Sequence, residues 1–484
     1  MSSATTPGTT PGTVVRRSGL RTAAGLGLPL LAALPGLWLR LSGASVPPAV
    51  AAALFAAAVV GAAFLLTWGT ELAEIDIGQG LALALLALIA VLPEYAVDVV
   101  FARLAGQDPD RYAPLALANM TGANRLLIGV GWSVVALAAL AAARRARRTA
   151  TDAGGSADTQ DEPTDGHAVQ LHRVQVVELA YLAVASAYAL TLPLRSTLTI
   201  VDAVILFTIF GAYLWRVRAV EHEPDSATGN GDTDPQEVDD DSRREGGDEE
   251  GEEESELFGP AAAVAQMPAR TRRIITVGML AIAAAVILAV AEPFAQSLVA
   301  TGEQLHVSQF LLVQWVAPLA SETPEFIAVL LLALKLQSAA ALGALISSKI
   351  NQWTLLIGIL PLVFAVSAGS PAGLPIDPVQ REELLLTAAQ SVFAVALVVT
   401  GRLTRTGAWA LLGLFTAQFV AAWTAPADLA GTVRLSIAAV YLVLGVGLLV
   451  VRRRHLARVL RTGLRPPRSA AKTDRVENRA RGGR

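Results

Sequence analysis

The chain has 484 residues, of which 53% are hydrophobic and only 16% are charged. Its apolar runs are longer than a soluble core requires and recur along the whole chain, which predicts a polytopic membrane protein. There is no cysteine, which excludes disulfides and thiolate metal sites, and the net charge of −3 averages an acidic loop with a basic tail.

Twelve apolar segments approach or exceed the length that a helix needs to cross about 30 Å of hydrocarbon. Backbone polar groups inside lipid must be satisfied within the protein, and the alternating pattern of a β-barrel is missing, so we predict an all-α polytopic membrane protein with about 12 transmembrane helices. The segments are 22–41, 48–69, 78–104, 112–142, 172–192, 197–216, 273–299, 305–335, 337–367, 383–401, 406–424 and 431–451.

Polar stretches divide these segments into two halves with flanking additions. The stretch between the halves is acidic and too poor in apolar residues to fold, so it is predicted to be a disordered cytoplasmic tether. A cleaved signal peptide is the alternative for the first apolar segment. The predicted units are a disordered N-terminus (1–21), an extra transmembrane helix (22–41), a first half (48–216) with a repeat at 79–142, an acidic linker (217–272), a second half (273–424) with a repeat at 305–367, an extra transmembrane helix (431–451) and a basic cytoplasmic tail (452–484) that lies on anionic lipid.

Two of the apolar segments contain a proline followed by a glutamate, Pro93 with Glu94 and Pro324 with Glu325. A proline inside a helix removes one hydrogen bond and displaces a carbonyl, so each segment is predicted to be a bent helix with a freed oxygen beside a carboxylate. A charge at the bilayer centre costs about 2.5–3.5 kcal/mol, which favours a functional role for these residues. Two such units in two halves predict a secondary transporter.

A polar patch follows each Pro-Glu pair and ends in the same Leu-Leu-Ile-Gly sequence, at 126–129 and 355–358. Carboxylates, amides and hydroxyls are typical ligands of calcium, magnesium and sodium, and poor ligands of zinc or copper. The candidate cation ligands are Glu94, Asp98, Asn119, Thr121, Asn124, Ser321, Glu322, Glu325, Ser347, Ser348 and Asn351, with Arg125 and Lys349 as charge-compensating residues.

Two structural alternatives stay open for the charged members of this set. Glu322 is placed to pair with Lys349, and either Glu94 or Asp98 is placed to pair with Arg125. In both cases the two fixed positive charges would neutralise part of the acidic cluster. Four carboxylates then face two cations, which leaves enough negative charge for one divalent ion, and closely spaced buried carboxylates also favour binding of protons.

Clusters of arginine predict the orientation in the membrane. Twelve spans place the clusters at 16–21, 144–148, 270–273, 402–405 and 452 onward on the cytoplasmic side of the inner (plasma) membrane, with both termini in the cytoplasm. The helix with Glu94 then crosses in the direction opposite to that of the helix with Glu325. The two repeats are therefore predicted to be inverted, as in many alternating-access transporters.

These residues resemble the two α-repeats of the cation/calcium exchanger superfamily, which includes the sodium/calcium exchangers. The family pattern is Thr-Ser-x-Pro-Glu on one helix and Gly-Ser-Asn on the next, and the two Pro-Glu pairs match its core. The resemblance implies a bundle of ten family helices, and the first and last spans would be additions. Several sodium-ligating hydroxyls of the family are missing, since Ala90 and Val91 replace the first Thr-Ser and Ala123 replaces a serine.

The resemblance implies a secondary antiporter that moves calcium or a similar cation against sodium or protons by alternating access. A sodium/proton exchanger of the same fold is one alternative, and a transport-inactive membrane scaffold or sensor is another, because Arg125 and Lys349 place positive charge beside the site. The expected partners are the lipid bilayer and small inorganic cations, without nucleic acid and without a cofactor beyond the transported ions. No credible nucleophile–base pair predicts an enzyme.

Overall fold

The computed structural model describes residues 12–76, 91–152, 167–221 and 260–465. The start of the predicted N-terminal segment, the first part of the span 78–104, most of the acidic linker and the end of the basic tail lie outside the described residues.

The first half consists of helices with two short strands between them. In chain order the elements are α1 (Gly12–Ser42), α2 (Pro48–Asp76), α3 (Leu92–Gln107), α4 (Pro109–Leu126), a first π-helical segment (Leu127–Trp132), α5 (Ser133–Asp152), β1 (Ala168–Gln170), α6 (Arg173–Ala189), a 3-10 turn (Leu192–Leu194), β2 (Thr197–Leu198) and α7 (Ile200–Glu221).

The second half repeats this plan. Its elements are α8 (Pro260–Ala265), α9 (Ala269–Leu305), α10 (Gln309–Leu334), α11 (Ser338–Asn351), a second π-helical segment (Gln352–Leu356), α12 (Ile357–Ala368), β3 (Leu374–Pro375), α13 (Pro378–Val398), β4 (Arg402–Thr404), α14 (Arg405–Thr424), α15 (Ala430–Val451) and α16 (Arg453–Gly463).

Within the described ranges, nine helices are long and apolar enough to cross a membrane, and each coincides with a predicted segment. The all-α membrane fold is thereby confirmed, whereas the count of twelve stays a prediction. Of the other three predicted segments, 22–41 contains a shorter apolar helix (Gly27–Ser42) and 78–104 begins outside the described residues. The third corresponds to α13, whose first turns carry Arg381, Glu382 and Glu383.

Both halves interrupt regular α-helix at matching places. The first π-helical segment joins α4 to α5, the second joins α11 to α12, and each overlaps one copy of the Leu-Leu-Ile-Gly sequence. The wider turn of a π-helix inserts a residue into the α-helical ladder and is frequent at functional sites. The polar patches predicted from the sequence therefore end where the backbone hydrogen bonding changes.

The two prolines differ in their surroundings. Pro324 lies inside the continuous helix α10, as the bent-helix prediction requires. Pro93 instead lies in the first turn of α3, where a proline needs no hydrogen-bond donor, and the backbone before Val91 is outside the described residues. The bend predicted at Pro93 involves residues before Val91 and so lies outside the described residues.

Two antiparallel ribbons connect the halves and establish their relative direction. Ribbon A pairs β1 with β4, and ribbon B pairs β2 with β3. Helix α6 leads from β1 to β2 and therefore runs from ribbon A to ribbon B, whereas α13 leads from β3 to β4 and runs from ribbon B to ribbon A. These two helices occupy the same place in their halves, so the halves are inverted, as predicted.

The helices with the candidate ligands lie between two hydrophobic cores. One core is built mainly from α1, α2, α8 and α9, and the other from α5 to α7 and α11 to α15. Helices α3, α4 and α10 contribute to both; on α3, for example, Val97 and Phe101 belong to the first core while Tyr95 and Ala102 belong to the second. A polar site on these helices therefore lies at the boundary between two packed bodies.

Candidate cation site

Carboxylates from the two repeats meet around one amide. Gln352, the first residue of the second π-helical segment, donates from Nε2 to Glu322 Oε1 at 2.9 Å and to Glu94 Oε2 at 3.5 Å. All three side chains are buried. Glu325 and Asp98 lie close enough for their charges to act on Glu94. The structure thus brings the four predicted carboxylates into one electrostatic group that both halves share.

Asp98 extends this group along α3, one turn beyond Glu94. Its Oδ1 accepts a hydrogen bond of 2.7 Å from Asn119 Nδ2 on α4, and both side chains are buried. Ser348 on α11 faces the carboxylate of Glu325 on α10, within the second repeat. Each acidic side chain of the cluster is therefore accompanied by a neutral polar group, as in oxygen-rich cation sites.

Several buried oxygens in this cluster accept no hydrogen bond from the described residues. A buried polar atom without a partner costs about 1–3 kcal/mol, so such atoms in a cluster are candidate ligand atoms. The atoms are Asp98 Oδ2, Asn119 Oδ1, Glu322 Oε2 and Gln352 Oε1. They are hard oxygen donors, which fit calcium or sodium as the transported substrate. Across the described ranges, no three acidic or histidine side chains converge as a chelating metal site.

Three cross-repeat hydrogen bonds join the polar patches. Tyr95, next to Glu94, donates from its hydroxyl to Asn351 Oδ1 at 2.8 Å. Lys349 Nζ donates to the backbone oxygen of Asn124 at 2.8 Å and to its Oδ1 at 2.5 Å. Asn124 and Asn351, both predicted as ligands, are therefore already bound by residues of the opposite repeat.

Lys349 is the fixed positive charge of the cluster. It is fully buried, its Nζ lies 4.9 Å from the centre of the Trp353 ring, and its charge interacts with that of Glu322. Its hydrogen bonds go to Asn124, so the predicted pairing with Glu322 acts through the field rather than through a hydrogen bond. A cation at this position offsets part of the acidic charge without occupying the partnerless oxygens.

Arg125 does not pair with Glu94 or Asp98, so that alternative is wrong. Its Nη2 lies 2.7 Å from Glu383 Oε2 on α13, and both side chains are buried. The reason is helical geometry: Arg125 is six residues after Asn119, a rotation of about 240° around α4, which turns it away from the face that meets Asp98. Because Glu383 compensates Arg125, the four carboxylates face Lys349 as their one close fixed cation among the described residues.

Further polar groups surround the Arg125–Glu383 pair. Gln314 Nε2 donates to Glu383 Oε2 at 3.1 Å and to Thr121 Oγ1 at 3.4 Å, and Arg434 on α15 lies 3.7 Å from Glu383 Oε1. The last membrane helix, predicted as an addition to the family bundle, therefore contributes a charge next to the repeat helices.

Three predicted hydroxyl ligands are directed elsewhere. Thr121 Oγ1 donates to the backbone oxygen of Leu117 at 2.9 Å, and Ser321 Oγ donates to that of Ala317 at 3.3 Å. Ser347 Oγ lies 2.8 Å from the hydroxyl of Tyr213 on α7. Serine and threonine commonly bond the carbonyl four residues back in membrane helices. Thr121 and Ser321 therefore keep acceptor capacity for a cation, whereas Ser347 belongs to a different polar group.

The sequence did not indicate several residues that surround the carboxylate cluster and the Arg125–Glu383 pair. Each of the glutamines is an amide inside an apolar segment, and this pattern could have identified them, but the charged residues are the stronger indication of a site. Glu383 is the first residue of the apolar segment 383–401, so its position in the sequence does not indicate that it reaches Arg125. The missed residues are Tyr95, Gln314, Glu383, Gln390 and Arg434.

Known proteins match this chain over most of its length. The profile of the sodium/calcium exchanger protein family matches residues 47–218 and 275–424. The crystal structure of the H+/Ca2+ exchanger CAX has 33% sequence identity and a TM-score of 0.73, and the match covers 92% of this chain and 98% of that one.

More distant solved structures are also similar. Native YfkE has 12% identity and a TM-score of 0.48, covering 83% of this chain and 98% of that one. The sodium-calcium exchanger NCX_Mj has 13% identity and a TM-score of 0.43, covering 83% and 100%. No curated protein sequence matches this chain.

Proposed function

This chain belongs to the sodium/calcium exchanger protein family, and we propose that it exchanges calcium ions for protons across the membrane. The family is one of transporters, which supports an integral membrane cation antiporter. The proposal concerns the pair of ions and the residues that bind them.

The observation that carries the proposal is the shared carboxylate cluster with its partnerless oxygens. Glu94 of one repeat and Glu322 of the other approach the same amide of Gln352, and each repeat contributes a buried oxygen without a partner. Calcium takes six to eight oxygen ligands, often with waters, so two carboxylates with flanking amide oxygens form a suitable partial shell. The ion would be held between two inverted halves, where rocking of one against the other exposes it to alternate sides.

The charge of the cluster favours protons as the exchanged ion. Four carboxylates face Lys349, so they ionise together only at a large cost unless a cation or protons neutralise them. The same oxygens would hold either Ca²⁺ or protons, and occupancy by one excludes the other. Competition of this kind is sufficient to couple the two fluxes.

The hydroxyls and the comparison support the same choice. Ala90, Val91 and Ala123 stand where the family pattern has hydroxyl residues, so fewer neutral oxygens are available for several sodium ions. The similar structure with 33% identity is described as an H+/Ca2+ exchanger. Sodium/proton exchange remains the second candidate, because hard oxygens bind sodium as well.

The membrane arrangement belongs to the same proposal. Arginine clusters at 144–148, 402–405 and 452 onward support a cytoplasmic location for the ribbon A end of the bundle and for both termini, in the inner membrane. The predicted halves 48–216 and 273–424, joined by the acidic linker 217–272, are the two bodies that would move.

The test compares two glutamates in everted vesicles. Glu325→Gln is expected to abolish proton-driven uptake of labelled calcium, because it removes one of four site carboxylates, whereas Glu303→Gln should keep it. Glu303 is an exposed residue that pairs with Arg111 at 2.5 Å on the surface, where such pairs contribute little.

The outcomes separate the candidates. Uptake driven by a sodium gradient, with no response to a proton gradient, would refute proton coupling. Sodium-dependent proton movement without calcium uptake would favour the sodium/proton exchanger. Normal uptake by Glu325→Gln would show that this cluster is not the ion site. Absence of any flux in the wild-type chain would favour the transport-inactive membrane scaffold.

A further inference from the structure

The last described helix, α16, presents arginines on one face only. Four exposed arginines of this helix and one that follows it line an open groove of about 710 Å³. They are Arg453, Arg454, Arg458, Arg461 and Arg465. None of the five has an acidic partner among the described residues, although several acidic side chains elsewhere in the described chain are paired. This concentration of uncompensated charge has no role in the cation site.

The opposite face of α16 is held firmly against the bundle. Val459 and Gly463 are buried, and the backbone of Gly463 lies directly against Ala180 on α6. The corner before the helix is also tied down, since Arg452 Nη1 donates to the carbonyls of Ala396 and Leu397 at 2.8 and 3.0 Å. The helix is thus a fixed element whose arginines cannot turn inward.

The location of this helix identifies the anion. It follows α15 after one residue, and α15 exposes Val443, Val450 and Val451 on its outer surface, as a lipid-facing helix does. The arginines therefore begin where the apolar span ends, at the depth of lipid headgroups. Arginine binds phosphate oxygens through paired N–H groups.

From this placement we propose that α16 is a binding site for anionic phospholipid headgroups of the adjacent leaflet. The packed face holds the helix beside the first turns of α6, and the arginine face meets the phosphates. The proposal is independent of which ions the protein exchanges, because it concerns binding of lipid and is measured without transport.

A series of contacts connects α16, through α6, to a helix of the second repeat. Helix α6, against which Gly463 packs, carries Gln175, whose Nε2 donates at 2.6 Å to the backbone oxygen of Ala339 in the first turn of α11. Helix α11 also carries Lys349 and Ser348. Headgroups on α16 therefore stabilise the position of α6 beside one of the helices that form the cation site.

The experiment measures lipids retained by the purified full-length chain in native mass spectrometry, with phosphatidylglycerol against phosphatidylcholine as probes. The wild-type chain is expected to retain phosphatidylglycerol preferentially. Each arginine contributes about fivefold, so Arg454→Gln, Arg458→Gln and Arg461→Gln together should weaken retention by on the order of 100-fold.

Two matched variants make the test decisive. Arg402→Gln with Arg405→Gln, which removes two exposed arginines at the same end of the bundle but outside α16, should bind like the wild type. Replacing the same three α16 arginines by lysine should retain most of the binding. Equal retention of the two lipids, unchanged binding by the triple glutamine variant, equal loss in both triple variants, or displacement of the lipid by millimolar inorganic phosphate would each overturn the proposal.

Discussion

Lys349 is a buried lysine whose ammonium group places a positive charge between the two repeats. It is fully buried and is held by two oxygens of Asn124, close enough for its charge to act on Glu322. A fixed cation favours the ionised form of nearby carboxylates. The proton affinity of the proposed site therefore depends on this one side chain.

Replacing Lys349 should change how transport depends on pH. In Lys349→Met the carboxylates lose their neighbouring cation and retain protons to higher pH, so the half-maximal point of calcium uptake is expected to move toward alkaline pH. The measurement is uptake in vesicles across a pH series, with Lys335→Met as the control at the exposed end of α10. An unchanged pH profile would show that Lys349 does not act on the site.

Arg125 and Glu383 form a buried ion pair beside the carboxylate cluster. Removing one partner leaves an uncompensated buried charge, which typically costs about 3–5 kcal/mol. Arg125→Met and Glu383→Gln are each expected to lower the thermal stability strongly. The double variant should lose less than the two single losses combined, because neither charge is then left alone.

Thermal unfolding of the purified variants checks this, with Arg103→Met and Glu292→Gln as the matched pair. Those two residues are 2.6 Å apart but about 40% exposed, so their loss should change the free energy of unfolding by less than about 1 kcal/mol. Strictly additive losses in the buried pair would show that Arg125 and Glu383 do not compensate each other.

At the scale of elements, the close contact between α4 and α10 positions both repeats. Gly122 on α4 lies directly against the backbone oxygen of Gln314 on α10, where a Cβ atom would overlap that oxygen. Only glycine allows this approach. The contact sets the spacing of the helices that carry Asn119 and Glu322.

Gly122→Ala is therefore expected to separate α4 from α10 and to reduce calcium uptake together with thermal stability. The control is Gly278→Ala on α9, where the space for a Cβ is open and the change should be neutral or slightly stabilising, by up to about 1 kcal/mol. If both variants behave alike in unfolding and uptake, the close approach does not determine the site.

At the scale of the whole molecule, the two ribbons mark opposite ends of the bundle. Helix α13 has 21 residues and connects them, which corresponds to about 31 Å at 1.5 Å per residue and so to the hydrocarbon thickness. Alternating access between inverted halves requires this arrangement, because each end must offer an equivalent entrance to the shared carboxylates.

The absence of cysteine from the sequence permits a direct test of orientation. Ala372→Cys lies in the loop before β3, at the ribbon B end, and Arg402→Cys lies in β4, at the ribbon A end; both positions are exposed. An impermeant thiol reagent added to intact cells should label the first and spare the second. Labelling of both positions, or of Arg402→Cys alone, would contradict the proposed orientation.

The sequence by itself determined the class of fold and the repeated carboxylates. Long apolar segments have one stable form in lipid, so helices were predictable from composition alone, and the helix containing Pro324 runs through that residue as expected. Charges inside such segments are rare enough to identify Glu94 and Glu325 without any knowledge of packing. Arginine placement predicted the inversion because it responds to the membrane itself rather than to contacts within the protein.

Only the tertiary structure decided which polar groups act together. The partner of Arg125 depends on the rotation of α4 and on the arrival of Glu383 from α13, more than 250 positions later, and no spacing in the sequence records either. Hydroxyls such as that of Ser347 can point to a ligand or to a neighbouring helix, and the difference lies in packing. The residue types determine which ligands are chemically possible. The packing of the helices determines which of these polar atoms find hydrogen-bond partners and which do not.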